Sequence, residues 1–128
     1  MDAIETPTMI ASRRKDGLII GRETNFHLPR EPQVVQEAMK ATWKLAGGEP
    51  CAALWDMRGS PRPSPESWRL FIHRLPEIFF ALAILADEQA VSFLGAFPAA
   101  IDNLLVPVRV FGQEDEATQW IEGFLQPI

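Results

Sequence analysis

Two side chains in this sequence would suit acid–base chemistry if the fold brought them together. Asp56 ends a short apolar run that begins at Cys51, and open α/β sheets commonly place ligands at that end of a strand. His73 lies beside the apolar stripe of a predicted helix, and a histidine acting as general base needs an acid to orient it. A hydrolase would therefore require Asp56 and His73 to converge. The simpler interpretation of Asp56 is a surface ion pair, for which Arg58 is available, or a hydrogen bond within the loop.

Motifs for other chemistry are missing from the sequence. It contains no Gly-x-Ser-x-Gly elbow, no P-loop and no dinucleotide-binding glycine pattern. The two histidines do not form a His-x-x-x-His pair, and Cys51 is the single cysteine, so a buried, unreactive thiol is expected. We expect no catalytic residues, no metal site and no cofactor, and therefore a protein that is not an enzyme.

Ser64-Pro65-Glu66 has the pattern of a helix start, with an N-cap, a first helical residue and an acidic second residue. Free N–H groups and the helix dipole favour an anion there, so a phosphate on Ser64 would be stabilised, and Arg58 or Arg62 could pair with it. The two interpretations are a plain helix cap and a phosphorylation switch. Asp87, which follows another apolar run, is likewise expected to cap a helix.

Size and charge limit the class of protein. The chain has 128 residues and a net charge of −5, which suits a single domain over residues 1–128. Nucleic-acid binding needs clustered Lys and Arg, and the only basic run is at 13–15, so no nucleic-acid partner is expected. The acidic start lacks a secretory signal, and the longest apolar run, 78–86, is about half of a ~20-residue membrane span. We expect a cytoplasmic protein that does not span a membrane.

Hydrophobic periodicity and turn residues predict the order of elements. Asp16-Gly17 is a tight-turn dipeptide between two β-prone stretches and predicts an N-terminal hairpin. Pro76 is expected to end the second helix and Pro98 to kink or divide the third. The predicted elements are strands at 8–14, 17–22, 51–56, 78–86 and 106–111, with helices at 32–46, 64–76, 87–105 and 113–125.

The predicted fold class is α/β, a β-hairpin followed by βαβαβα units. Helices separate the last strands, so the last three strands should pair in parallel through crossover connections. The sheet is expected to be mixed, with four to five strands and about four helices.

Three features together resemble the SpoIIAA-like or STAS-like proteins. They are Trp55-Asp56 at the end of a central strand, the loop and Ser64-capped helix that follow, and the closing Val-Arg-Val-Phe-Gly-x-Glu-Asp-Glu-Ala-x-x-Trp-Ile pattern over 108–121. The resemblance covers residues 8–125. It implies a SpoIIAA-like fold, and this chain looks closer to the distant relatives that have no assigned activity.

The same resemblance implies a function through binding. Members of the group include anti-sigma-factor antagonists, which bind a protein kinase partner and are switched by phosphorylation of a serine in an Asp-Ser-Ser/Thr-Gly-like stretch. The corresponding segment here, 56–67, does not contain that motif. The implied recognition surface is the loop from Arg58 to Pro63 with the start of the second helix, and the candidate residues for partner binding or phosphorylation are Arg58, Ser60, Ser64, Glu66 and Ser67.

We therefore expect a non-enzymatic regulatory or protein-binding module that acts in a homodimer or with another protein. The alternative is a carrier of a lipid or small apolar ligand, since the wider group includes SEC14-type lipid-binding domains. That alternative places an apolar pocket between the third helix and the sheet, near Phe80, Phe93 and Phe97. Aromatic side chains at these spacings also suit the core.

Overall fold

The chain folds into a mixed α/β structure, which confirms the predicted class. The computed structural model describes residues 2–94 and 106–125, with side chains described through 91 and from 106 onward. The elements are β1 (Ala3–Glu5), β2 (Met9–Arg13), β3 (Ile19–Glu23), α1 (Pro32–Leu45), β4 (Cys51–Asp56), α2 (Pro65–Ile78), β5 (Phe79–Leu85), α3 (Glu88–Leu94), β6 (Val108–Phe111) and α4 (Glu114–Glu122).

The six described strands form one sheet in chain order, β1-β2-β3-β4-β5-β6. The first three strands are antiparallel, and β3 to β6 run parallel. The predicted hairpin and the parallel pairing of the last three strands are confirmed. The sheet has one strand more than predicted, because β1 is only three residues long and too short to show a periodic pattern.

The turn between β2 and β3 forms for the reason that the sequence indicated. Gly17 has a φ of 94°, a left-handed conformation that glycine adopts without steric cost. Its N–H donates to the Arg14 carbonyl at 3.0 Å, and the Leu18 N–H donates to the Asp16 carboxylate at 3.3 Å. This turn places Arg22 and Glu23 at the far end of β3.

Helices cover the central strands on both faces. All six residues of β4 are buried, and alternate side chains enter two separate cores. Trp55 lies in the core beneath α1 and α2, together with Phe71 and Leu75 of α2. Leu54 lies in the core beneath α4, together with Ile121. The sheet is therefore a layer between two apolar cores, as expected for parallel strands.

The helix boundaries follow the sequence signals, with one difference. Pro32 occupies the first turn of α1, and Gly47 and Gly48, both at positive φ, follow its end at Leu45. The second helix was expected to end near Pro76 but continues to Ile78. Burial of Leu75 and Ile78 on the sheet anchors this last turn, and it outweighs the hydrogen bond that proline cannot donate.

The third helix is described only at its start, as α3. The predicted remainder to residue 105, including the kink at Pro98, lies outside the described residues. Within the described ranges, no helix has both the length and the apolar character that a membrane crossing requires.

Gly21 packs tightly against two core side chains, and this packing generates a prediction. A Cβ at this position would lie 2.6 Å from Met9 Sδ and 3.0 Å from Trp55 Nε1. Gly21→Ala is expected to lower the free energy of unfolding by about 1–3 kcal/mol, because the packed core must shift. Urea denaturation measures this loss. In the matched control Gly112→Ala, the new Cβ meets nothing within 4 Å, so a loss as large as that of Gly21→Ala would contradict the explanation.

Candidate functional site

The candidate site lies at the carboxyl ends of β3, β4 and β5, where the loop of residues 57–64 joins β4 to α2. This β4–α2 loop is held by the backbone: Met57 N–H donates to the Leu85 carbonyl at 2.8 Å and Ser60 N–H to the Met57 carbonyl at 3.1 Å. Gly59 turns the chain at a φ of 80°, and its N–H donates to Asp87 Oδ2 at 2.8 Å. The loop is therefore fixed to the last residue of β5 and to Asp87 in the turn that follows it.

Asp56 is the centre of a charge cluster that consists of Arg22, Asp56, Arg58 and Glu114. Arg58 donates two side-chain hydrogen bonds to Asp56, from Nε to Oδ1 at 2.9 Å and from Nη2 to Oδ2 at 2.8 Å. Arg22 donates to Asp56 Oδ2 at 2.9 Å and makes two bonds of 3.0 Å to Glu114 at the start of α4. The cluster thus ties β3, β4 and α4 together, and the predicted pairing of Asp56 with Arg58 is confirmed.

These bonds make Asp56 a poor base. Partial burial acts to raise its pKa, but hydrogen bonds from the Arg58 side chain and backbone, with help from Arg22, outweigh that effect and hold the pKa below its ordinary value of 3.8. Asp56 points to the α4 side of the sheet, whereas His73 is exposed on α2, which packs on the other side. The fold does not bring the two groups together as a hydrolase would require.

Asp87 has the structural role that the sequence predicted. Its Oδ1 accepts the Ala90 N–H at 2.9 Å at the start of α3. The bonds from the backbone N–H groups of Ala90 and Gly59 lower its pKa. One carboxylate therefore caps a helix and fastens the β4–α2 loop.

A buried arginine, Arg30, holds a second part of the site in place, beside the charge cluster. Its side chain is 3% exposed and donates to Glu23 Oε1 at 3.0 Å. It also donates to three backbone carbonyls at 2.7–3.1 Å, those of Thr24, Asn25 and Leu28. We call this set of bonds the Arg30 latch, because it closes the loop between β3 and α1 on itself.

The latch also reaches α2. The Arg30 carbonyl accepts the Ser67 hydroxyl at 2.7 Å and, more weakly, the Ser64 N–H at 3.4 Å. Burial raises the pKa of Glu23, and Arg30 acts in the opposite direction. The neighbouring Ser60 hydroxyl also favours the charged carboxylate, although it lies outside hydrogen-bond geometry.

The structure separates the serines that the sequence singled out. Ser64 is half-buried and caps α2 by accepting the Ser67 N–H at 3.2 Å, which confirms the predicted cap. Ser67 and Ser60 are buried, so a kinase would have to open the loop to reach them. Glu66 is exposed on the first turn of α2. Arg58 belongs to the charge cluster and is not directed at Ser64 by any contact.

A depression of about 500 Å³ opens beside the charge cluster, on the α4 side of the sheet. We call it the open face; its residues are Ile10, Ser12, Arg22, Glu23, Thr24, Phe26, Asp56 and Arg58. Ile10 and Phe26 are 42% and 47% exposed. The Phe26 ring lies against Gly59, 3.5 Å from where a Cβ would stand. The open face thus joins strand β2 to the β4–α2 loop.

The apolar pocket expected near Phe80 falls mostly outside the described part of the chain. The side chain of Phe93 and the whole of Phe97 are not described, and Phe80 is 42% exposed at the start of β5. A different cavity, of about 40 Å³, lies under the β4–α2 loop, and Trp55 is in its wall.

The described residues give little support for a metal site or a reactive thiol. No group of three or more His, Cys, Asp or Glu side chains there is arranged to hold a metal ion. Cys51 is buried, and burial raises the pKa of its thiol to about 12, so the thiol stays protonated at neutral pH.

Sequence reasoning missed Arg30, Glu23 and the two exposed apolar side chains of the open face. Nothing in a polar stretch broken by Pro29 distinguishes a buried arginine from a solvated one. Phe26 did carry a signal, since an aromatic residue inside an otherwise polar connection suggests a contact surface.

The depressed pKa of Asp56 predicts a pH dependence of stability. Because the folded pKa lies below 3.8, the charged carboxylate stabilises the fold above that pH, and its contribution is lost as the pH falls through the folded value. Asp56→Asn is expected to cost about 1–3 kcal/mol at pH 7, as for hydrogen bonds to charged groups. Denaturation curves of both proteins between pH 7 and pH 2 should converge at low pH, and a constant difference would contradict this assignment.

The Arg30 latch predicts a larger loss. Arg30→Met leaves Glu23 buried without its cation, so the free energy of unfolding should fall by about 3–5 kcal/mol. The double variant Glu23→Gln, Arg30→Met should recover part of this loss, because no buried charge remains. The control is Arg14→Met, which breaks surface pairs with Asp16 and Glu122 and should cost about 0–1 kcal/mol. Equal losses for Arg14→Met and Arg30→Met in urea denaturation would refute the latch.

Comparison with known proteins agrees with this geometry. A solved structure of an uncharacterized protein from the DUF3478 family, from Shewanella loihica PV-4, is described as having a SpoIIAA-like fold. It is 13% identical, the alignment covers 94% of this chain and 98% of that one, and the TM-score is 0.63. At this identity the likeness shows the fold alone, so the predicted SpoIIAA-like fold is confirmed.

No curated protein matches the sequence. The family model described as "Domain of unknown function (DUF7793)" matches residues 19–125, a range that includes β3 to β6, the charge cluster and the Arg30 latch. This chain is therefore a member of the DUF7793 family.

Proposed function

We propose that this domain is a non-enzymatic protein-binding module and that its partner, a second copy or another protein, docks on the open face. The observation that carries the proposal is the pair of exposed apolar side chains in one depression, Ile10 on β2 and Phe26 in the loop after β3. α4 packs mainly against β4, β5 and β6 and reaches β3 through the bonds between Arg22 and Glu114, whereas Ile10 lies on β2. Exposed apolar groups that share one depression are typical of interaction sites.

The composition of the open face suits a protein partner. Ile10 and Phe26 supply exposed apolar surface, and the arginines Arg22 and Arg58, each 44% exposed, line the same depression. Aromatic residues and arginine are enriched in protein interfaces and among the residues that dominate their affinity. Asp56 and Glu114 neutralise the two arginines. The arginines therefore offer a partner hydrogen-bond donors in fixed positions more than net charge.

Binding explains the chemistry of this surface better than catalysis does. Asp56 and Glu114 both have pKa values below their ordinary range because arginines bind them, with burial opposing this effect in each case. A general base works best with a pKa near the working pH. Carboxylates held charged by arginines instead shape a rigid surface, and a rigid surface loses little entropy on binding.

The recognition loop predicted from the sequence borders this surface. Arg58 and Gly59, at the start of the β4–α2 loop, contact the open face directly through the charge cluster and Phe26. Ser64 and Glu66 lie at the other end of the loop. Phosphorylation of Ser64 would add charge at a helix N-terminus, where it is tolerated electrostatically, and it stays a prediction.

The test is site-specific photo-cross-linking in cells of the source organism. A photoreactive benzoylphenylalanine replaces Phe26 in one protein and Trp43 in the other, since these side chains are 47% and 45% exposed and lie on different surfaces. We expect a discrete adduct from position 26 at several times the yield from position 43. Its mass distinguishes a second copy from another protein.

A second variant links the adduct to the open face. Ile10→Asp places a charge in the wall of the depression and should abolish the adduct from position 26, because an unpaired carboxylate would be desolvated on docking. Circular dichroism confirms that this variant stays folded, as expected for a substitution at an exposed site. Equal adducts from positions 26 and 43, or an adduct that survives Ile10→Asp, would refute the proposal.

A further inference from the structure

Phe26 lies in a turn between β3 and α1 whose backbone has an unusual conformation. The Leu28 N–H donates to the Asn25 carbonyl at 2.9 Å, so Phe26 and His27 are the two central residues of a four-residue turn. Asn25 has a φ of 49°, and among the described residues it is the one non-glycine residue with a positive φ. Asparagine adopts this left-handed conformation more readily than most side chains, but such a conformation persists only where neighbouring groups hold it. The geometry of the turn therefore depends on the contacts of Asn25.

Hydrogen bonds from two directions hold Asn25. Its Nδ2 donates to the Pro7 carbonyl at 2.8 Å, in the connection between β1 and β2. Its carbonyl also accepts Arg30 Nη1 at 3.0 Å, so the Arg30 latch bonds the same residue from the other side. The preceding residue is fixed as well, because the Thr24 N–H donates to the Thr8 carbonyl at 2.8 Å. These bonds set the direction in which the next side chain leaves the turn.

The side chain that this turn presents is apolar and exposed. Phe26 is 47% exposed, whereas Thr8 and Arg30, which bond the turn, are each 3% exposed. The Phe26 ring rests on Gly59 on one side and faces solvent on the other. A buried polar framework thus holds an aromatic ring at the surface. An aromatic side chain held in this way loses little conformational entropy when a partner binds it.

We propose that Phe26 is the anchor of the docking surface and that Asn25 is a positioning residue, which fixes the ring in its binding orientation before a partner arrives. This inference rests on the proposed protein-binding function and adds which side chain dominates the contact and what orients it. Aromatic residues are among those that most often dominate the affinity of protein interfaces. A turn that only connected β3 to α1 would need no aromatic ring at position 26.

The first measurement is the order of the turn in the free, ¹⁵N-labelled protein. We expect backbone order parameters of about 0.85 at residues 25–27, the value of a rigid backbone, and of less than about 0.6 in Asn25→Gly. Glycine keeps the positive φ accessible but cannot donate to the Pro7 carbonyl, so this variant removes the bond without adding strain. His27→Ala changes an exposed residue of the same turn and should leave the order unchanged. Equal order in Asn25→Gly and wild type would overturn the positioning role.

The second measurement moves the photoreactive benzoylphenylalanine to position 10, in the wall of the same depression, so that Phe26 itself can be changed. At equal amounts of folded protein, Phe26→Ala should lower the yield of the adduct by about tenfold or more, as for a residue that dominates an interface. Phe26→Tyr keeps the ring and should keep the adduct. Asn25→Gly should lower the yield by about three- to tenfold, because the partner must then order the turn. His27→Ala should leave the yield unchanged.

These outcomes separate failure of the inference from failure of the docking surface. No adduct from position 10 in the otherwise unchanged protein would refute the docking surface, and the anchor with it. An adduct that persists undiminished in Phe26→Ala would leave the docking surface in place and overturn the anchor. An adduct lost in Phe26→Ala but unaffected by Asn25→Gly would overturn the positioning role of Asn25.

Discussion

Complete burial of β4 is the constraint on which the rest of this structure depends. A strand with six buried residues needs an apolar layer on each face, so the chain must supply helices on both sides of the sheet. α1 and α2 meet this need on one face and α4 on the other. The neighbouring strand β5 is buried in the same way except at Phe80, which reinforces the requirement. The carboxyl ends of these strands then meet at one edge, where the loops of the candidate site emerge.

The helices described on the two faces of the sheet differ in length, and this difference accompanies the open face. α1 and α2 have 14 residues each, whereas α4 has nine and packs mainly against β4, β5 and β6, with Glu114 reaching Arg22 of β3. Strand β2 is therefore covered on one side and exposed on the other, with Ile10 and the nearby loop residue Phe26 left in solvent. In an isolated domain this surface exposes apolar side chains to water, and a partner that covers it would bury them. The same architecture that stabilises the core thus creates the proposed docking site.

Charge is used in two different environments at this end of the sheet. Asp56 meets two arginines at the surface, and the balance of burial and hydrogen bonds keeps it ionised. Glu23 meets one arginine in the interior, and there burial dominates and raises its pKa. Both arrangements orient loops, since one holds the start of the β4–α2 loop and the other closes the loop before α1. Neither leaves a carboxylate free for proton transfer.

The sequence alone determined the α/β class, the hairpin at Asp16-Gly17, the central strand ending at Asp56 and the caps at Ser64 and Asp87. Each of these depends on residues close together in the chain, where hydrophobic period, turn geometry and capping act locally. Only the tertiary structure decided the rest: Arg30 is buried where its loop meets α2, whose Ser67 hydroxyl donates to the Arg30 carbonyl, and Phe26 stays exposed beside the β4–α2 loop, against Gly59. Burial and exposure depend on which elements pack together, and packing between residues far apart in the chain leaves no local periodic signal in the sequence.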